Sequence, residues 1–74
     1  PKVTRSLGLD SLIEVMREDA QFPSQRQDLI QHQGWKLIDL TPNERIRASQ
    51  MLERLPERRY ESLDDAVQTL KKLV

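Results

Sequence analysis

Gly34-Trp35-Lys36-Leu37-Ile38-Asp39-Leu40-Thr41-Pro42 is the one apolar run in this chain that does not repeat with a helical period, and it holds the only tryptophan. Trp35, Leu37, Ile38 and Leu40 alternate in part, and tryptophan and isoleucine favour a pleated surface. Gly34 ends whatever precedes it. Pro42 has no N–H for a ladder, so a strand here stops by Leu40 or Thr41. A lone strand leaves backbone groups unpaired and needs a partner. Gln21-Phe22 and Arg59-Tyr60 are the candidates, and segments that short allow at most a rudimentary small β-sheet. The expected fold is therefore mainly α, with four short helices, near 10–19, 24–33, 42–55 and 62–73, around a central extended segment from Trp35 to Leu40.

The helices follow from apolar spacing and caps. Leu9, Leu12, Ile13, Met16 and Ala20 make one stripe, capped by Asp10 or by Ser11 with Glu14, while Val15 points off it. Pro23 holds Phe22 extended, and Ser24 with Gln27 opens the second helix. With Gly34 as a left-handed C′ residue, Trp35 would fold back onto Ile30. That places Trp35 in the core, where truncation to alanine would cost about 3–5 kcal/mol. Thr41-Pro42-Asn43-Glu44 reads as N-cap, first-turn proline and third-position glutamate of a helix that buries Ala48, Met51, Leu52 and Leu55 until Pro56 stops it. Ser62 caps the last helix with Asp65 at its third position; Leu63, Ala66, Val67, Leu70 and Val74 form its core face, and Asp64-Asp65 ahead of Lys71-Lys72 suits the helix dipole. Residues 1–8 lack a helical period and read as a flexible N-terminal arm before a single helical domain, 9–74. The expected core is Leu12, Ile13, Met16, Ile30, Trp35, Met51, Leu52, Leu55, Val67 and Leu70.

Composition narrows the function classes. A chain of 74 residues, 36% apolar and 32% charged, makes one thinly cored domain. Twelve basic and twelve acidic side chains cancel, so no net field draws it to nucleic acid or an anionic membrane. There is no cysteine for a disulfide, a thiolate metal site or a nucleophile. No apolar run reaches the roughly 20 residues of a membrane span, and no signal-peptide pattern opens the sequence. A bacterial-type cytoplasmic setting is the expectation, with a processed or trimmed start ahead of Pro1.

Phe22-Pro23-Ser24, Asp28-Leu29-Ile30, and Leu55-Pro56-Glu57-Arg58-Arg59-Tyr60-Glu61-Ser62 with Asp64-Asp65-Ala66-Val67 form a recognisable succession. Over about residues 20–70 it resembles a small bacterial domain of unknown function, family 2795, which would run from helix to helix with little between; this chain has Trp35 to Leu40 in that place. The resemblance implies a cytoplasmic helical module and carries over no catalytic residue.

Candidate sites weigh against catalysis. His32 is the only histidine and has no second ligand at metal-binding spacing; Ser11, Ser24 and Ser62 read as caps, and two glycines make no phosphate loop. No enzyme, metal or cofactor is expected. Asn43, Arg47, Gln50 and Arg54 would form one stripe on the 42–55 helix, with side chains suited to base edges, so the alternative is a nucleic-acid-binding, helix-turn-helix-like domain. The leading expectation is a non-catalytic interaction or regulatory module that docks to another protein or to a second copy of itself. Its surface would use Val15 and Ile46, apolar residues off the helical stripes, with Arg58, Arg59 and Tyr60 as an aromatic, mixed-charge rim.

Overall fold

A computed structural model describes residues 2–73; Val74, expected on the last core face, lies outside them. The order is α1 (Leu9–Asp19), β1 (Ser24–Gln25), α2 (Arg26–Gln33), β2 (Leu37–Thr41), β3 (Glu44–Arg47), α3 (Ala48–Leu52), β4 (Arg59–Tyr60) and α4 (Leu63–Lys72). Helix makes up 47% and strand 18%, so the mainly helical expectation is corrected to a mixed α/β fold. It has two antiparallel two-stranded sheets, β1–β4 and β2–β3.

The largest departure lies at 42–55, where one helix was expected. Glu44–Arg47 instead folds back on β2, setting Leu37 opposite Arg47, Ile38 opposite Ile46 and Asp39 opposite Arg45. Only Ala48–Leu52 is helical. Thr41-Pro42-Asn43 meets the needs of a tight turn as well as those of a helix start, because proline presets φ at the second turn position and asparagine suits the third. The Thr41 hydroxyl accepts from the Asn43 N–H at 3.3 Å, a local turn contact rather than a helix cap. Burial decides between the two: Ile38 is fully buried, and the strand brings Ile46 in against the same core. Partners also differ from expectation. Arg59-Tyr60 pairs with Ser24-Gln25, not with the central segment, and Gln21-Phe22 joins no strand.

α1, α2 and α4 stand near their expected ranges, but only one of three serine caps holds. Ser62 Oγ accepts from the Asp65 N–H at 3.0 Å. Ser11 lies buried inside α1, whose N-cap is Gly8 at φ 62, a region glycine enters without a Cβ penalty. The Gly8 N–H donates to the Asp39 carbonyl at 2.7 Å and so ties the start of α1 to β2. Ser24 sits in β1, and Gln25 takes the N-cap of α2. Gly34 is right-handed (φ −64, ψ −22), so no left-handed turn folds Trp35 back onto Ile30. Glycine is required there for another reason: a Cβ would collide with the Ile30 carbonyl and come within 2.9 Å of Ser49 Cβ. The Ser49 N–H donates to the Gly34 carbonyl at 3.1 Å, so α2 ends against the start of α3.

The core contains Leu12, Val15, Met16, Leu29, Ile38, Ala48, Leu52, Leu55, Tyr60, Ala66 and Leu70. Ile13, Ile30 and Met51 are half-buried. Trp35 is no part of the core: it is 63% exposed. Its indole Nε1 donates to the His32 carbonyl at 2.9 Å, at the end of α2, and the ring stays on the surface. Tyr60 fills the interior instead, its hydroxyl donating to the Pro56 carbonyl.

Candidate interaction surface

The outer face of the β2–β3 hairpin is built by the period of two. Ile38 and Ile46 point to the core, so Leu37, Arg45 and Arg47 share the opposite face. Leu37 is 39% exposed. Arg47 Nη1 donates to the Trp35 carbonyl at 2.6 Å, which keeps that side chain at the Trp35 end of the hairpin. β3 pairs with β2 alone, so its other edge carries N–H and C=O groups without a ladder partner among the described residues.

Asp39 stands opposite Arg45 yet does not neutralise it. Its carboxylate accepts from the Val3 N–H at 2.9 Å, the Thr4 N–H at 2.6 Å and the Thr4 hydroxyl at 2.8 Å. Ser11 Oγ meets the same Thr4 hydroxyl and accepts from the Asp39 N–H at 2.9 Å. Burial is the largest influence on the Asp39 carboxyl and pushes its pKa up. The hydrogen bonds from Thr4 and Val3, with the charge of Lys2, outweigh burial and hold it below the ordinary 3.8. Residues 3 and 4 thereby lie against β2, and the acid opposite Arg45 across the ladder is already engaged. Among the described residues neither Arg45 nor Arg47 meets a carboxylate.

Lys36, Asp19, Arg58 and Asp65 are used internally. Lys36 is buried and donates to the Val15 carbonyl at 2.8 Å and to Asp19 at 2.6 Å. Hydrogen bonds from Lys36 first and Gln33 second hold the Asp19 carboxyl below its ordinary range. Arg58 donates to Asp65 at 3.0 Å and to Thr69 Oγ1 at 2.9 Å, with its guanidinium 4.1 Å from the Tyr60 ring centre. That bond from Arg58 is the main reason the Asp65 carboxyl lies low, and Asp65 in turn raises Arg58. Burial pushes the Tyr60 hydroxyl up.

The structure scatters the residues singled out from sequence. Val15 is buried in the core and Ile46 is half-buried beside it, so neither is a surplus surface residue. Arg58 and Tyr60 fasten β4 to α4, and Arg59 pairs with Glu61 at 2.8 Å. Asn43 lies in the hairpin turn, Arg47 ends β3, Gln50 lies in α3 and Arg54 follows it, so no single helix carries that stripe. The helix-turn-helix expectation loses the helix it needs. His32 is exposed above a shallow concavity of about 570 Å³ shared with Asp19, Asp28 and Gln33. Among the described residues no three His, Asp or Glu side chains gather as metal ligands. What sequence reasoning missed is the exposure of Trp35 and the placement of Arg45 beside Arg47, read there as part of a helical stripe, on the outer face of the hairpin. The signal for that placement was the alternation Glu44-Arg45-Ile46-Arg47, two arginines flanking one isoleucine.

The residues that carry the family resemblance have structural duties in this fold: Pro56 receives the Tyr60 hydroxyl, Ser62 caps α4, and Asp65 holds Arg58. No family model matches the chain, and no curated protein or solved structure matches it.

Proposed function

We propose that this protein is a non-catalytic interaction module that docks to another protein through the exposed face of its β2–β3 hairpin. The observation that carries this reading is the exposure of its only tryptophan, Trp35, at 63%, just ahead of the hairpin in sequence, with Leu37 at the start of β2 at 39%. Protein interfaces favour an apolar or aromatic centre with a polar rim, and tryptophan and arginine are enriched at their most sensitive positions. Trp35 and Leu37 supply the centre, and Arg45 and Arg47 the rim. The shifted ionisable groups support a non-catalytic role, since Asp19, Asp39, Asp65 and Arg58 are each engaged in ties that hold the fold. Among the described residues no helix is long and apolar enough to cross a membrane; a cytoplasmic partner belongs to the same proposal.

A second copy fits this surface less well than a different protein. Two β3 strands related by a two-fold axis would pair antiparallel, centred either on Ile46 or on Arg45. The first register sets Arg45 opposite Arg47 of the second copy, and the other sets Arg45 opposite itself. Like charges directly across a pair are destabilising. The test is affinity capture from the native cell extract with the unaltered chain and with Trp35→Ser, both first shown to melt alike. A partner retained by the unaltered chain and lost by the variant is expected. Equal retention by both, or self-association in sedimentation as the only interaction found, overturns the reading.

A further inference from the structure

We infer that the segment this module takes is an extended acidic peptide, which adds as a strand to the free edge of β3 with carboxylates at alternate positions facing Arg45 and Arg47. The inference rests on the docking reading and names its partner's chemistry. Three features of the hairpin lead to it. β3 is hydrogen-bonded on one side only, so its outward N–H and C=O groups match a peptide backbone. Arg45 and Arg47 stand two residues apart on one face, about 6.7 Å along a strand, which is the spacing of alternate side chains on an added strand. The carboxylate that would otherwise neutralise Arg45 is buried and bound to Val3 and Thr4.

The same arginines explain selectivity. An open edge strand invites indiscriminate pairing, and charged side chains are a usual protection. Here the protection has one sign on the exposed face. It repels a basic strand and a second copy of β3, gives a neutral strand only main-chain bonds, and attracts an acidic one. Nucleic acid could use the two charges, but it has no peptide groups for the strand edge, and the net charge of zero supplies no wider field.

The test uses the full chain in an NMR titration with three probes: a peptide of Glu-Val repeats, one of Lys-Val repeats and a single-stranded oligonucleotide. The Glu-Val peptide should shift the amides of residues 44–47, slow their hydrogen exchange, and bind more weakly as salt screens the charges. The double variant Arg45→Glu with Arg47→Glu should weaken that binding about tenfold or more and admit the Lys-Val peptide. Arg45→Glu alone keeps the Arg47 bond to the Trp35 carbonyl and should weaken it about threefold. Equal binding of both peptides, binding without protection of the β3 amides, or tighter binding of the oligonucleotide at this face overturns the inference. So does a captured partner that needs Trp35 but ignores the arginine reversal, and that result leaves the docking reading standing.

Discussion

Trp35 and Tyr60 are used in opposite ways, and the reason lies in where each ring's polar atom finds its partner. Tyr60 is fully buried, and its hydroxyl reaches the Pro56 carbonyl while Arg58 lies over its ring. β4 around it pairs with β1 and packs on α4, which closes the core over the ring. Trp35 bonds the His32 carbonyl at the end of the helix it has just left, which holds the indole at the surface. The hairpin beside it turns one face to the core; on the other, Val3 and Thr4 cover Asp39, while Leu37, Arg45, Arg47 and the free edge of β3 stay exposed. An aromatic side chain is therefore no sign of a core by itself. A buried hydroxyl or indole N–H needs a partner, and the position of the nearest free carbonyl decides which way the ring turns.

This contrast can be broken at either end. The largest effect is expected from Tyr60→Ala, a loss of about 3–5 kcal/mol in urea melts, as for other large aromatics removed from a core. A loss near zero would mean that the Tyr60 region is not the anchored one. Gly34→Ala comes next, at about 1–3 kcal/mol, because the new methyl group would push α2 away from Ser49. The measurement that checks it is the same melt, with Trp35 fluorescence followed to see whether the indole moves.

The pH profile sharpens the contrast with a smaller effect. Asp39 on the hairpin and Asp65 beside Tyr60 both have folded pKa values below their ordinary 3.8. Their contribution is present above that pH and is lost as pH falls through it, because the unfolded state takes up protons first. Tyr60 is raised above 10.0, so its contribution is present below that pH and lost as pH climbs past it. Asp39→Asn should flatten the acid limb alone and Tyr60→Phe the alkaline limb alone in thermal melts across pH. An acid limb unchanged by Asp39→Asn would detach that carboxylate from the fold. The smallest effect is reserved for Trp35→Ala, expected within about 0.5 kcal/mol of the unaltered chain, as for surface substitutions generally. A cost of several kcal/mol would put the indole back in the core.

Much of the helical part was legible in the sequence. The stripes of α1 and α4 and the Ser62 cap are local patterns, and local patterns survive folding. The strand at Leu37–Thr41 was legible too, but its partner was not. Thr41-Pro42-Asn43-Glu44 satisfies a helix start and a hairpin turn equally, and the apolar spacing of Ala48, Met51 and Leu52 tips the choice towards one long helix. Ile46, off that helical stripe, was the residue that pointed to the strand, since only a β3 opposite Ile38 brings it inward. The surface followed the same fate. With Gly34 taken as left-handed Trp35 goes inside, whereas its tight approach to Ser49, invisible along the chain, gives the glycine a different purpose.

The two sheets differ in one more respect, the length of chain each must close. β2 and β3 are joined by the short Pro42-Asn43 turn, while β1 and β4 come from opposite halves of the sequence. Hairpins form in about 1–10 μs, and closing a longer loop costs additional entropy before any contact rewards it. The order of assembly should then be β2–β3 early and β1–β4 late. In stopped-flow chevrons, Tyr60→Phe should speed unfolding and leave the folding rate nearly unchanged, the signature of contacts absent from the transition state. A slowed folding limb would reverse that order. In the expected order the β2–β3 hairpin is the first piece of tertiary structure the chain makes, and the inward-facing Tyr60 the last to be locked in place.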